Sequence, residues 1–188
     1  MFGIRGGCFH RDDGTLRPRE WATPRWIVCE LRFKGRRRSI NPPGRYTQLF
    51  FLDEAVAFAA GHRPCFECRR ASADLYQRLW QRALGLETLP SADAMDAVLT
   101  RERLLPPDAR PTARIGDLPD GAVVVVDGVA QLVRGGAVRA WSFGGYGPPR
   151  RLAPKTPVAL LTPQSTVAIL AAGYAPRLHG SAQWRSAE

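Results

Sequence analysis

Lysine is almost missing from this chain: Lys34 and Lys155 are the only two, so 25 of the 27 basic residues are arginine. Base composition is one source of such a bias, since GC-rich genomes favour arginine and alanine codons. Long apolar runs are also missing. None approaches the roughly 20 residues of a membrane span, which excludes a transmembrane helix. The opening segment, MFGIRGGCFHRDD, has no apolar stretch followed by a cleavage site, so no secretion signal is expected and cytoplasmic residence is the expectation. Histidine is scarce: His10, His62 and His179 are scattered and form no spaced ligand motif. Acidic residues number 17 against 27 basic ones, for a net charge of +10. What remains is ordinary globular material, with a hydrophobic share of 45% that argues against wholesale disorder.

The positive charge is uneven. Residues 1–82 hold 16 Lys/Arg and 8 Asp/Glu, whereas residues 83–188 hold 11 and 9. A polyanion contacted by the first half is the functional reading of that imbalance, against a merely solvated arginine-rich surface. The four cysteines, Cys8, Cys29, Cys65 and Cys68, all fall in the same half. An even count permits two disulfides, but without a secretion signal thiols are expected. Two of them form a Cys-x-x-Cys pair, and the four together fit a single zinc site. His10, two residues after Cys8, is the alternative fourth ligand.

Taken in order, residues 1–24 read as a glycine- and arginine-rich loop. Arg25 to Phe33 alternates as a strand, placing Trp26 and Val28 on one face and Ile27, Cys29, Leu31 and Phe33 on the other. Lys34, Arg36, Arg37, Arg38 and Arg45 then lie on a loop broken by glycine and proline. Arginine forks donate paired hydrogen bonds to phosphate oxygens, so this loop is a candidate phosphate clamp. Ala71 to Leu86 is a helix with Leu75, Leu79 and Leu86 at helical spacing, broadened by Trp80 and Leu84. Ser91 caps a helix from Ala92 to about Arg103 whose apolar stripe is Met95, Val98, Leu99 and Leu104. Residues 104–121, with four prolines, form an irregular connector. Val123 to Val126, an Asp127-Gly128 turn, Val129 to Val133 and Ala137 to Phe143 make a β-meander. Residues 144–157 read as a basic loop. Val158 to Leu161 is a strand, and Thr162-Pro163 opens a helix that ends at Gly173; the tail is expected to fray after Trp184.

The most informative stretch is Tyr46 to Arg70, YTQLFFLDEAVAFAAGHRPCFECRR. Leu49 to Leu52 is an apolar run of strand length. Asp53 is the expected N-cap for a helix of about two turns, Gly61 stops it, and Pro64 prevents it from restarting. Two thiols two residues apart on the following turn can share one metal ion. A redox Cys-x-x-Cys sits in a different strand–helix context, which favours zinc here. Residues 49–65 are echoed by residues 159–179: both read as strand, cap, short helix, Ala-Ala-Gly and, after two residues, proline.

This stretch resembles the second half of the zinc-binding domain of the Ada DNA-repair proteins. The matching positions are Phe50, Phe51, Glu54, Ala55, Ala60, Gly61, Arg63, Pro64, Cys65, Cys68 and Arg69, local in extent but specific in order and spacing. The resemblance implies a small α+β zinc module that binds DNA backbone, with Arg63, Arg69 and Arg70 joining the basic loop at the phosphates. In that family a zinc-bound thiolate accepts a methyl group from a DNA phosphotriester, and Cys29 would be the acceptor. The family's first pair, Cys-x-x-x-Cys, has only Cys29 here, because Arg25 and Phe33 stand four residues to either side. Binding rather than methyl transfer is therefore the expectation. Neither a helix-turn-helix nor an alkyltransferase Pro-Cys-His-Arg motif is found.

The expected organisation is α+β: an Ada-like zinc-binding module over residues 1–86, a helix and proline-rich connector over 87–120, and a β-meander with a strand–helix unit over 121–188 that can pack with the first module. The expected activity is zinc-dependent binding of DNA in repair or regulation, with Zn2+ as the only cofactor and no membrane partner. The alternatives are a metal-dependent nuclease or hydrolase using His10, His62 and His179 with Asp12 or Asp13, and a protein-interaction module with structural zinc.

Overall fold

The first residues, expected in a loop, instead begin a sheet. In the computed structural model, which describes residues 1–36 and 39–183, Phe2–Ile4 (β1) lies inside a four-stranded sheet of order β3-β1-β2-β4. Its neighbours are Ile27–Cys29 (β2), Leu49–Phe50 (β3) and, beyond β2, Arg63–Pro64 (β4). β1 is antiparallel to β2, with Phe2 opposite Cys29 and Ile4 opposite Ile27; β2 runs parallel to β4. A three-residue strand carries too little alternation to be read from sequence. Its glycine has a reason: a Cβ on Gly3 would lie 2.6 Å from the Phe51 ring and 2.9 Å from that of His62. The strand expected over 25–33 is confined to Ile27–Cys29, because β1 and β4 end there and leave the following residues unpaired.

Glu54–Ala59 (α1) starts as expected at Asp53, whose Oδ1 accepts from the Val56 N–H at 3.0 Å. Gly61 follows with φ +76, and a side chain there would collide with Arg103. Arg70–Ala83 (α2) buries only part of the expected face, Leu79 and Trp80. Ala73, Tyr76, Leu79 and Trp80 are buried, while Leu75, Leu84 and Leu86 are exposed. Ala92–Arg103 (α3) begins at Ser91, whose Oγ accepts from the Ala94 N–H, and buries Met95 and Leu99 with Asp96 beside them; Leu104 stays exposed.

The second sheet has six antiparallel strands in the order β5-β10-β6-β7-β8-β9. Val123–Val126 (β6), Val129–Arg134 (β7) and Ala137–Ser142 (β8) are the expected meander. Three features depart from expectation. Thr112–Arg114 (β5), within the connector, pairs with Pro157–Leu160 (β10). Gly145–Arg150 (β9), within the expected basic loop, is an edge strand, where its prolines cost no ladder bond. The helix Gln164–Ala171 (α4) has Pro163 at its N-cap, because the Thr162 hydroxyl accepts from the Val123 N–H instead.

The largest buried cluster brings Phe58 of α1, Tyr76 and Trp80 of α2, and Met95 and Leu99 of α3 together with Val124, Val133 and Val138 of the second sheet and Ile169 of α4. The fold is thus α+β, a small mixed sheet and a six-stranded sheet with four helices among the described residues. No helix among them is long and apolar enough to cross a membrane.

Candidate metal centre

Cys29, Cys65 and Cys68 are the only group of three or more metal-ligating side chains that converges among the described residues, and their sulfurs lie within 4.8 Å of one another. Each is placed by backbone pairing. The Cys65 N–H donates to the Val28 carbonyl (3.1 Å), extending the parallel β2–β4 register and setting Cys65 beside Cys29. The chain then turns through residues 66–69, and the Arg69 N–H donates back to the Cys65 carbonyl, so that Cys68 returns to the same point. Two further amides aim at sulfur: Glu67 N–H at Cys65 Sγ and Glu30 N–H at Cys68 Sγ, both 3.4 Å. Such donors stabilise thiolate charge. Phe2, Ile4 and Ile27 pack around the group.

The protonation pattern follows from this packing. The Cys65 thiol is driven well below its ordinary pKa, first by the hydrogen bond from Cys29 and then by the backbone amides, which together outweigh burial. Cys29 is pushed up by that same bond and by burial, and Cys68 is raised chiefly by burial. Three soft donors on a common centre suit a tetrahedral ion such as zinc, whose sulfur–sulfur edges are about 3.8 Å for Zn–S bonds of about 2.3 Å. Three protein ligands leave one tetrahedral position for water or another donor.

Cys8 is not part of this group. Its sulfur lies 3.8 Å from His10 Nδ1, in a separate knot held by Thr47, whose Oγ1 accepts from the Phe9 N–H and bonds the His10 ring. His10 is buried there, with Nε2 3.3 Å from the Pro42 carbonyl. All four cysteines are free. The other histidines are likewise apart: His62 is buried against Trp26 and Phe51, and His179 bonds Ser181. Asp13 is tied to Thr15, and Asp12 is exposed.

Two of the arginines expected at phosphate are internal. Arg63 Nε and Nη2 donate to both oxygens of Asp96 at 2.8 and 2.7 Å, with both side chains buried. Arg69 is buried between Glu54 (2.7 Å) and Glu30 (3.2 Å). Glu54 also accepts from the Tyr174 hydroxyl (2.7 Å) and the Arg177 N–H (2.9 Å), and Arg177 pairs with Glu30. A buried guanidinium needs its own carboxylate, and α1 and α3 supply one each. These acidic partners were the residues missed from sequence. Glu54 had a signal, as an acid at a helix start within the motif; Asp96, 33 residues beyond Arg63 in another helix, had none. Lys34, Arg36, Arg45 and Arg70 are exposed, Arg36 beside Glu67 (2.8 Å) and Arg70 beside Asp74 (3.8 Å). Arg37, Arg38 and Trp184 lie outside the described residues.

Compared with known protein families, curated proteins and solved structures, the chain matches none.

Proposed function

We propose that this protein holds a zinc ion at Cys29, Cys65 and Cys68 and binds the DNA backbone beside it, in DNA repair or regulation. The observation that carries the metal is the convergence of the three sulfurs from β2, the end of β4 and the turn into α2. The nucleic-acid reading rests on the resemblance of residues 49–70 to the Ada zinc-binding domain, on the net charge of +10, and on the exposed cations Lys34, Arg36, Arg45 and Arg70. Arg63 and Arg69 serve it indirectly, by fixing the turn that presents the cysteines. Methyl acceptance is the weaker reading, because Cys29 is only 4% exposed and lacks the partner cysteine of the family's first Cys-x-x-x-Cys pair.

Metal analysis tests the first part. One zinc per chain is expected in the wild type and in Cys8→Ser, and a loss of most of it in Cys29→Ser, Cys65→Ser and Cys68→Ser. Full metal retention in the last three would overturn the assignment. Mobility shifts with duplex DNA across a salt series test the second. Affinity should fall with a log–log slope of about −0.9 per phosphate neutralised, and Arg36→Gln with Arg70→Gln should reduce that slope. Affinity indifferent to salt would refute backbone binding.

A further inference from the structure

The other end of the small sheet holds a feature the metal centre does not use. Arg5 follows β1 and Trp26 precedes β2, three residues or about 10 Å along the strand from Cys29. The Arg5 guanidinium carbon lies 3.8 Å from the Trp26 ring centre and that of Arg103, from the end of α3, lies 3.9 Å from it. This cluster borders a cavity of about 250 Å³, to which Arg110, Glu20 and Glu102 also contribute.

The balance of groups there is uneven. The Glu102 carboxylate is committed to the first turn of α4, accepting from the Ser165 N–H (3.2 Å) and hydroxyl (2.6 Å). Glu20 is an exposed residue whose charge favours that of Arg5 without forming an ion pair with it among the described residues. Arg103 spends its terminal nitrogens on the carbonyls of Gly61 and Pro24 and on Thr100. Three donors are buried with no acceptor among the described residues: Arg5 Nε, Arg103 Nε and Trp26 Nε1, the last on a residue 95% removed from solvent. Burial lowers both guanidiniums to about 10, the response of cations lacking a full counter-charge. Stacking on Trp26 explains why the two arginines are near the ring; it supplies no acceptor for their N–H groups.

We propose that this cavity binds a phosphate group through Arg5, Arg103 and Arg110. A phosphate carries the negative charge and the several acceptor oxygens that the cluster lacks, and arginine forks match its geometry. The group can belong to a small phosphorylated molecule or to the end of a nucleic-acid strand, and the cavity is too small to take more than a terminal unit of the latter.

The test is thermal unfolding of the full chain in sodium phosphate against sodium chloride at equal ionic strength, with phosphorus NMR line width as a second readout. At roughly ten times the Kd, phosphate should raise Tm by about 3–5 °C above the chloride control, and Arg5→Gln should lose at least half of that rise. If Arg5→Gln does not fold, Arg110→Gln takes its place, and broadening of the free phosphate signal by wild type but not by that variant serves as the measure. A phosphate effect equal to chloride, or undiminished in the variants, would overturn the proposal. Oligonucleotides with and without a 5′-phosphate separate the sources: preference for the phosphorylated end, competed by inorganic phosphate, assigns the strand, and a response to free phosphate alone assigns the small molecule.

Discussion

His62 shows how a residue's surroundings change its chemistry. It has the composition of a candidate metal ligand, yet it is fully buried between Trp26 and Phe51, with Nδ1 3.1 Å from the Ala60 carbonyl. Burial, then the charges of Arg5 and Arg103, hold its pKa well below 6.5. The unfolded chain takes up a proton near pH 6.5 that the folded chain refuses. Stability is therefore complete above that pH and is lost as pH falls below it, by up to about 1.4 kcal/mol per unit. Urea titrations between pH 7.5 and 5 should show this slope in the wild type and a shallower one in His62→Gln. An unchanged slope would place the acid sensitivity elsewhere. Arg63 and Arg69 make the complementary point: residues that read as free phosphate ligands are each matched to a buried carboxylate, Asp96 and Glu54.

At the scale of the element, α2 is the instructive case. The sequence pattern places Leu75, Leu79 and Leu86 on the inner face with Trp80 and Leu84, whereas of these the helix turns only Leu79 and Trp80 inward, together with Ala73 and Tyr76. The aromatic rings decide the face because they carry the larger apolar area: Tyr76 meets Phe58 at 5.6 Å and Tyr174 at 5.7 Å. The Tyr76 hydroxyl is also satisfied there, 2.8 Å from Thr166. Leu75→Gln and Leu86→Gln should each change stability by about 0.5 kcal/mol or less. Tyr76→Ala should cost about 3–5 kcal/mol, from the cavity and the lost contacts. Equal effects at Leu75 and Tyr76 in denaturant titrations would contradict this orientation. The short β1 and β4 have no such internal signature; each exists because its partners, β2 above all, lie alongside it.

Across the whole molecule, the two echoed strand–helix units meet. Asp53 and Glu54, at the start of α1, accept from the backbone of His179 and Arg177, which follow α4. Asp53 also accepts from the Tyr146 hydroxyl of β9. The same helix sends Phe58 into a core shared with the six-stranded sheet. The cysteine-bearing half therefore leans on the far half for both its polar and its apolar contacts. The full chain should unfold in one transition, and residues 1–86 expressed alone should lack the dispersed amide spectrum of a folded protein, because Phe58, Tyr76 and Trp80 would face water. A folded, metal-binding 1–86 fragment would show that those contacts are dispensable.

Local chemistry was legible in the residues themselves: the Asp53 and Ser91 caps, the Gly61 stop, the valine meander and the Cys-x-x-Cys turn each depend on a few neighbouring residues whose backbone preferences are strong. That Cys29 joins Cys65 and Cys68 was also readable, since a strand cysteine among apolar neighbours is well placed to meet a knuckle. What only the tertiary structure decided is which like residue does what. Cys8 binds into a knot with His10 and Thr47 while Cys29 joins the cysteine cluster; Arg63 and Arg69 go inside while Arg36 and Arg70 stay out. Such choices depend on partners tens of residues away, because a buried charge is tolerated only where the fold brings its counter-charge, and no local pattern in the chain records that distance.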